Sequence, residues 1–133
     1  MKFGREMNGA LNSNIYFTVN NQSAGFGNFK GGSKITKLSA KIYIIQSPYV
    51  QSSTGGDENE AIDATLILIG KWKQPVIEKN DDGSESVTAN PVLDPLASHL
   101  QVQNIVIRID CNPSVTKAII DVMNLKKLQD LIK

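Results

Sequence analysis

The sequence predicts a single, mainly β (α+β) domain: an antiparallel β-sandwich or partly open barrel with a C-terminal helix. Three observations lead to this prediction. The 133 residues leave room for one domain. Segments rich in β-branched residues alternate apolar and polar positions, as strands do. Helical periodicity is confined to the end of the chain, and strands in a run followed by a helix exclude all-helical and alternating parallel architectures.

An Asn/Gly-rich arm and loop over 1–33 is predicted to precede a β-rich core over 34–111. Residues 14–20, NIYFTVN, predict an edge strand. The glycine-rich segment 23–33 predicts an ordered loop rather than a regular element, because glycine relaxes the limits on the backbone. We expect Phe26 and Phe29 to anchor this loop, either on a partner or on the protein's own surface.

Two core strands are predicted next. Residues 34–46, KITKLSAKIYIIQ, begin with a lysine spacing that is also helical, but the Ile-Tyr-Ile-Ile ending favours a strand. In the second, 64–77, alternation places Leu66 and Leu68 on one face. A bulge or bend is expected at Gly70. If the alternation continues through it, Trp72 and Val76 join the same face and Trp72 is buried.

The third predicted core strand, 99–111, reads HLQVQNIVIRIDC. Its apolar phase slips near Asn104. A bulge there places Leu100 and Val102 on the face that carries the later isoleucines, Ile105, Ile107 and Ile109.

Polar connections are predicted between these strands. Residues 51–60 form a solvated loop, and 78–86 contain an Asp-Gly turn at Asp82 and Gly83. A short strand over 86–89 is expected after this turn. The prolines at positions 91 and 95 then break the chain, because each disfavours the helical region for the residue before it.

The helical segment covers 113–133. Asn112 or Ser114 is expected to cap it, with Pro113 in the first turn. One apolar stripe contains Val115, Ile119, Val122 and Met123. At Asn124 the stripe rotates, so either one helix curves or Asn124 caps a second. The new face, formed by Leu125, Leu128 and Ile132, packs on the sheet in one interpretation and docks on another subunit in the other.

The net charge of +1 conceals an uneven distribution of charges. Residues 1–50 carry a balance of +5, residues 51–100 one of −6 and residues 101–133 one of +2. A chain of this kind suits contacts in which the basic edge of one subunit meets the acidic edge of the next. Local neutralisation within the folded chain is the alternative.

Residues that would indicate an enzyme are few. The single cysteine, Cys111, excludes an internal disulfide and a multi-cysteine zinc site, and His99 is the single histidine. Ser98, His99 and Asp94 lack the motif that surrounds a hydrolase nucleophile. In segment 27–34 a serine precedes the lysine, the reverse of a phosphate-binding loop. We therefore predict a protein that is not an enzyme, with no catalytic residue, cofactor or metal.

A basic and aromatic set of residues supports an alternative function. Single-strand binders built on small β-barrels combine phosphate-facing charge with stacking rings. The predicted contacts for this function are Lys30, Lys34, Lys37, Lys41, Tyr43, Lys71, Trp72 and Lys73. Lys37, Lys41 and Tyr43 would share one strand face. The nearly neutral charge and the core phase of Trp72 argue against this alternative.

The leading hypothesis is a non-enzymatic structural subunit of a larger assembly, such as a minor capsid, vertex or tail component of a phage-like particle. The Asn/Gly-rich arm and long loops resemble, in style alone, small β-structured components of viral particles. Copies of the chain or other structural subunits are the expected partners; nucleic acid is a further one, and a membrane is not expected. The predicted assembly contacts are Phe26, Phe29, Leu125, Leu128 and Ile132.

Residues 1–14 lack the apolar run of a secretion signal. No apolar stretch approaches the length of a membrane-spanning helix either. The expected location is therefore the cytoplasm on synthesis, and the virion if the leading hypothesis holds.

Overall fold

A computed structural model of the chain describes residues 14–29, 32–49 and 62–132. Within these ranges the chain forms eight strands followed by two helices. The strands are β1 (Asn14–Val19), β2 (Ala24–Phe29), β3 (Lys34–Ser39), β4 (Ile42–Tyr49), β5 (Ile62–Gly70), β6 (Val76–Lys79), β7 (Glu85–Ala89) and β8 (Asn104–Cys111). The helices are α1 (Pro113–Val122) and α2 (Leu125–Asp130).

The strands form two antiparallel sheets. The large sheet has the order β1-β8-β5-β4-β3, and the small sheet has the order β2-β7-β6. The described strands do not close into a barrel, and the helices come last. The predicted mainly β class with a C-terminal helix is confirmed.

The large sheet is the middle of three layers, because its central strands are covered on both faces. Residues 64–70 of β5 are all buried. Leu66 and Leu68 point toward the small sheet, whereas Ile67 and Ile69 point toward the helices. The core between the sheets contains Phe26, Tyr43, Ile45, Ala64, Leu66, Leu68, Trp72, Val87, Ala89 and Val106. The core under the helices contains Ile42, Ile67, Ile69, Ile105, Ile107, Ile109, Cys111, Leu125 and Ile132.

The prediction of one strand over 34–46 is wrong, because the segment is a hairpin. β3 and β4 pair across a turn at residues 40 and 41, with Lys37 opposite Tyr43. The turn contains Ala40 and Lys41, and neither is a strong turn former. Lys41 therefore lies in the turn and does not share a strand face with Lys37 and Tyr43.

The prediction of one strand over 64–77 is also wrong, because β5 ends at Gly70. The backbone there has a φ of +120°, and a Cβ would lie 2.7 Å from the carbonyl oxygen of Gln103, so the position requires glycine. The bend expected at Gly70 is confirmed. Beyond it the chain leaves the large sheet for the small one. Val76, predicted to share the core face, begins β6 and is exposed.

The predicted burial of Trp72 is confirmed. Its side chain is 8% exposed and packs in the core with Leu66 and Leu68. The indole Nε1–H donates a hydrogen bond to the carbonyl oxygen of Ile69 at 3.2 Å. The ring thus fills the space between the sheets at the point where the chain crosses from one to the other.

The third predicted strand begins five residues later than expected, at Asn104. Leu100 lies in the preceding turns and is 83% exposed, so its predicted place on the core face is wrong. Val102 does pack against the core under the helices. Asn104 is buried, accepts a hydrogen bond from the Asn21 backbone N–H at 2.8 Å and donates one to the Asn21 carbonyl oxygen at 3.0 Å.

Segment 23–33 contains strand β2, so its prediction as a loop is wrong. Gly25 pairs with Thr88 of β7, and a Cβ at this position would overlap the carbonyl oxygen of Val87. The glycine therefore allows a close approach of two strands. Phe26 is buried between the sheets, where the Arg108 guanidinium lies 5.6 Å from the ring centroid. The turn predicted at Asp82 and Gly83 is confirmed, and the predicted loop 51–60 lies outside the described residues.

Two helices form at the end of the chain, so the alternative in which Asn124 caps a second helix is confirmed. The Asn112 side chain caps α1 by accepting a hydrogen bond from Val115 N–H at 3.0 Å, and Asn124 caps α2 in the same way. Val122, predicted to belong to the apolar stripe, is exposed. Leu125 and Ile132 are buried in the core under the helices.

Substitution of Trp72 tests the packing between the sheets. We expect Trp72→Ala to lower the free energy of unfolding by about 3–5 kcal/mol, because a large cavity replaces the indole. Urea denaturation measures the change. Val76→Ala is the control, because truncation of this exposed side chain should change the free energy of unfolding only a little. An unchanged unfolding midpoint for Trp72→Ala would contradict the burial.

Two hydroxyls offer a second test. Among the described residues, Thr65 Oγ1 and Thr116 Oγ1 are buried without a hydrogen-bond partner. Thr65 lies on the helix-facing side of β5, and Thr116 is the buried residue of α1. We expect Thr65→Val to raise the free energy of unfolding by about 1–2 kcal/mol, because it removes an unsatisfied polar group. Thr88→Val, at an exposed position of β7, should leave it nearly unchanged, and destabilisation by Thr65→Val would refute this explanation.

Candidate assembly surface

β1 is an edge strand that contains no charged residue. It pairs with β8 on one side, and its sequence is NIYFTV. Four large side chains of β1 are each 51–53% exposed, namely Ile15, Tyr16, Phe17 and Val19. Because neighbouring side chains of a strand point to opposite faces, this equal exposure shows that neither face of β1 is buried.

The main contacts of the other layers are with strands other than β1. α1 contacts β5 and β8, and α2 contacts β5. The core between the sheets reaches β8 through Val106. Within the described part of the chain, no residue of β1 belongs to either core. Among the described elements, pairing with β8 is therefore the main contact of β1.

The outer backbone groups of β1 can be assigned from one hydrogen bond. Asn20 N–H donates to the carbonyl oxygen of Asn104 at 2.9 Å, so Asn20 faces β8. Backbone groups of successive residues in a strand point to opposite sides. The backbone N–H and C=O groups of Tyr16 and Thr18 therefore face β8. Those of the residue between them and of the two residues that flank them point away from β8, toward the outer edge of the sheet. These outward residues are Ile15, Phe17 and Val19.

The same three residues share one face of the sheet. In the antiparallel register Ile15 lies opposite Ile109, Phe17 opposite Ile107, and Val19 opposite Ile105. Those isoleucines belong to the core under the helices, and directly opposed side chains lie on one face. Ile15, Phe17 and Val19 therefore extend this apolar layer beyond the area that the helices cover.

The opposite edge of the large sheet, β3, is basic. It carries Lys34 and Lys37, and both are exposed. The Lys37 ammonium lies 5.5 Å from the centroid of the Tyr43 ring. Lysines on an edge strand disfavour pairing with a further strand. The sheet thus has one edge that resists strand addition and one that does not.

The predicted assembly contacts lie mainly in the interior. Phe26 is buried between the sheets, Leu125 and Ile132 are buried under the helices, and Leu128 packs partly buried beside them. The position of the Phe29 side chain lies outside the described structure. The apolar face formed by Leu125, Leu128 and Ile132 therefore packs on the sheet of its own chain, which is the first of the two interpretations given above. The turn at Asn124 directs this face toward the sheet. Contact of these residues with another subunit stays a prediction.

The predicted nucleic-acid contacts are distributed over several elements. Tyr43 and Trp72 are buried, so neither ring is available for stacking. Lys34 and Lys37 lie on β3, whereas Lys71 and Lys73 follow β5, and Lys30 lies outside the described residues. The exposed rings of β1, Tyr16 and Phe17, are at the opposite edge of the sheet from β3.

Lys41 and Lys71 do come together, at a cavity of about 370 Å³. Val92, Asp94, Gln101 and Ile132 are among the other lining residues. The Asp94 carboxylate accepts a hydrogen bond from Leu96 N–H at 2.9 Å within a local turn. Acidic, amide and apolar groups thus share the cavity with the lysines.

Within the described ranges, no group of three or more His, Cys, Asp and Glu residues is arranged to hold a metal ion. Cys111 is buried under the helices, whereas His99 is exposed in the turns before β8. Among the same residues no helix is long and apolar enough to span a membrane.

Comparisons of the chain with protein-family models, with characterised proteins and with solved structures find no match.

Sequence reasoning identified β1 as an edge strand but did not single out its residues as contacts. The available signal was the absence of charge from a segment already expected at an edge.

Proposed function

We propose that this chain is a non-enzymatic structural subunit of a larger assembly, such as a minor capsid, vertex or tail component of a phage-like particle. Copies of the chain or other structural subunits are its partners. One observation supports the proposal above the others: among the described strands, the large sheet ends in an uncharged strand, β1, whose four large apolar side chains are half-exposed and belong to neither core.

Energetics favour a partner at this edge. Full burial of a large apolar side chain is worth about 1.5–3 kcal/mol, so covering a half-exposed one contributes about 1 kcal/mol. Each backbone hydrogen bond formed along the edge adds about 0.5–1.5 kcal/mol. Strand addition to an open edge uses both contributions, with main-chain hydrogen bonds giving affinity and side chains giving specificity.

The edge strand is also ordered by pairing within its own sheet. β1 pairs with β8 over its full length, from Asn14 opposite Asp110 to Val19 opposite Ile105. The mutual hydrogen bonds of Asn21 and Asn104 fix the chain where it leaves β1. A strand that is already ordered loses less conformational entropy when a partner binds.

The alternative of single-stranded nucleic-acid binding has less support. The lysines of β3 and those at the cavity could contact phosphates, but Tyr43 and Trp72 are buried and the exposed rings lie at the other edge. Stacking of bases needs rings beside the charges. This alternative stays a prediction and is tested together with assembly.

The test compares one substitution on each edge of the large sheet. Phe17→Lys and Leu38→Lys each replace an exposed apolar residue, of 52% and 55% exposure, by lysine. We expect the native chain to self-associate and Phe17→Lys to return it to the 14.5 kDa monomer, because a charge would be buried at the partner's edge. Leu38→Lys should leave the mass of the assembly unchanged. Size-exclusion chromatography with light scattering measures these masses.

Thermal melts of both variants check that the fold is intact, and an oligonucleotide titration monitors binding to nucleic acid. A native chain that stays monomeric up to about 1 mM has at best about −4 kcal/mol of self-association energy. That result, together with oligonucleotide binding that weakens with salt, would overturn the proposal in favour of the alternative.

A further inference from the structure

We infer that a second copy of this chain binds at β1, antiparallel to it and related by a two-fold axis, with Phe17 opposite the partner's Phe17. This inference rests on the proposed function and names the partner and the register. Its basis is the regular spacing of the outward backbone groups on Ile15, Phe17 and Val19, which is symmetric about Phe17.

The register follows from the hydrogen-bonding pattern. In an antiparallel pair, outward residues must face each other to exchange two hydrogen bonds. An axis at Phe17 places Ile15 opposite the partner's Val19 and uses all three outward residues of each strand, for about six backbone hydrogen bonds. An axis at Tyr16 or Thr18 would use only two outward residues of β1 on each chain, for about four.

Side chains are compatible with this register on both faces of the sheet. On the helix side, Phe17 meets the partner's Phe17, flanked on each side by an isoleucine opposite a valine. On the other side, Tyr16 meets the partner's Thr18. Aromatic and aliphatic cross-strand pairs stabilise antiparallel strands, and β1 contributes no like charges that would repel across the axis.

Charge favours β1 over β3 as the partner strand. β3 is basic, and β1 carries no acidic residue to pair with Lys34 or Lys37. Pairing of β1 with β3 of the next copy would also be heterologous, and heterologous contacts form open chains unless their rotation closes. Pairing of β1 with β1 closes at two copies.

The resulting dimer has one continuous ten-stranded sheet. Because the axis runs perpendicular to this sheet, the helices of both copies lie on the same side. The exposed residues Ile15, Phe17 and Val19 of the two chains then form an apolar strip between the two helical layers.

Cysteine substitution measures the register directly. At the axis, Phe17→Cys places two thiols on residues whose Cα atoms are about 5.5 Å apart, which lies within the range for a disulfide. In the single variants Tyr16→Cys and Thr18→Cys, the Cα atom of the new cysteine lies about 8 Å from the Cα atom of the same position in the second chain, because the rise along a strand is about 3.4 Å per residue. In the double variant, which carries both Tyr16→Cys and Thr18→Cys, the thiol at position 16 of one chain lies opposite the thiol at position 18 of the other. This double variant retains Phe17 and its packing.

The expected result under mild oxidation is a covalent dimer for Phe17→Cys and for the double variant, and none for Tyr16→Cys or Thr18→Cys alone. The native chain gives the background, because Cys111 is buried. Thermal melts of the reduced variants confirm folding.

Efficient cross-linking of Tyr16→Cys or of Thr18→Cys alone would overturn the register. If the native chain self-associates and no variant cross-links, the second copy does not bind at β1, and the inference fails while the proposed function stands. A native chain that stays monomeric overturns the inference, and it overturns the proposed function as well only if the chain also binds oligonucleotide in a manner that weakens with salt.

Discussion

Pairing of β5 with β8 is the constraint on which the rest of the structure depends. Ile67 lies opposite Ile107 at the centre of the pair, and both side chains are completely buried. Alternate residues of these two strands supply the core between the sheets and the core under the helices. The small sheet, the helices, β1 on one side and β4 and β3 on the other are all positioned by this pair. Doubly covered strands of this kind read as nearly continuous apolar runs.

The sequence predicted the class of the fold and most of its strands, because apolar alternation and turn residues are local signals. It failed where the deciding contact is distant. The turn at Ala40 and Lys41 has no strong turn residue, and β5 ends at a position that requires glycine because a Cβ there would lie 2.7 Å from the carbonyl oxygen of Gln103. Gly25 belongs to a strand because β7 approaches it closely, which its own segment does not indicate.

The candidate site was harder to predict for the same reason. An apolar patch such as that of Leu125 and Ile132 has the same sequence pattern whether it packs on its own sheet or on another subunit. The exposure of β1 depends on which strand ends the sheet and on how far the helices extend, and both are properties of the topology. The absence of charge in NIYFTV is a local signal, but its meaning needs the strand order.

The position of β1 along the chain has a consequence for folding during synthesis. β1 is the first described strand to leave the ribosome, yet its sheet neighbour β8 is the last. At a synthesis rate of about 5–20 residues per second, β1 waits about 5–20 s for the strand that completes its place in the sheet. Contacts of such high sequence separation also slow folding. Among the described strands, the uncharged edge strand of the large sheet is thus the one that waits longest for its neighbour while the molecule is made.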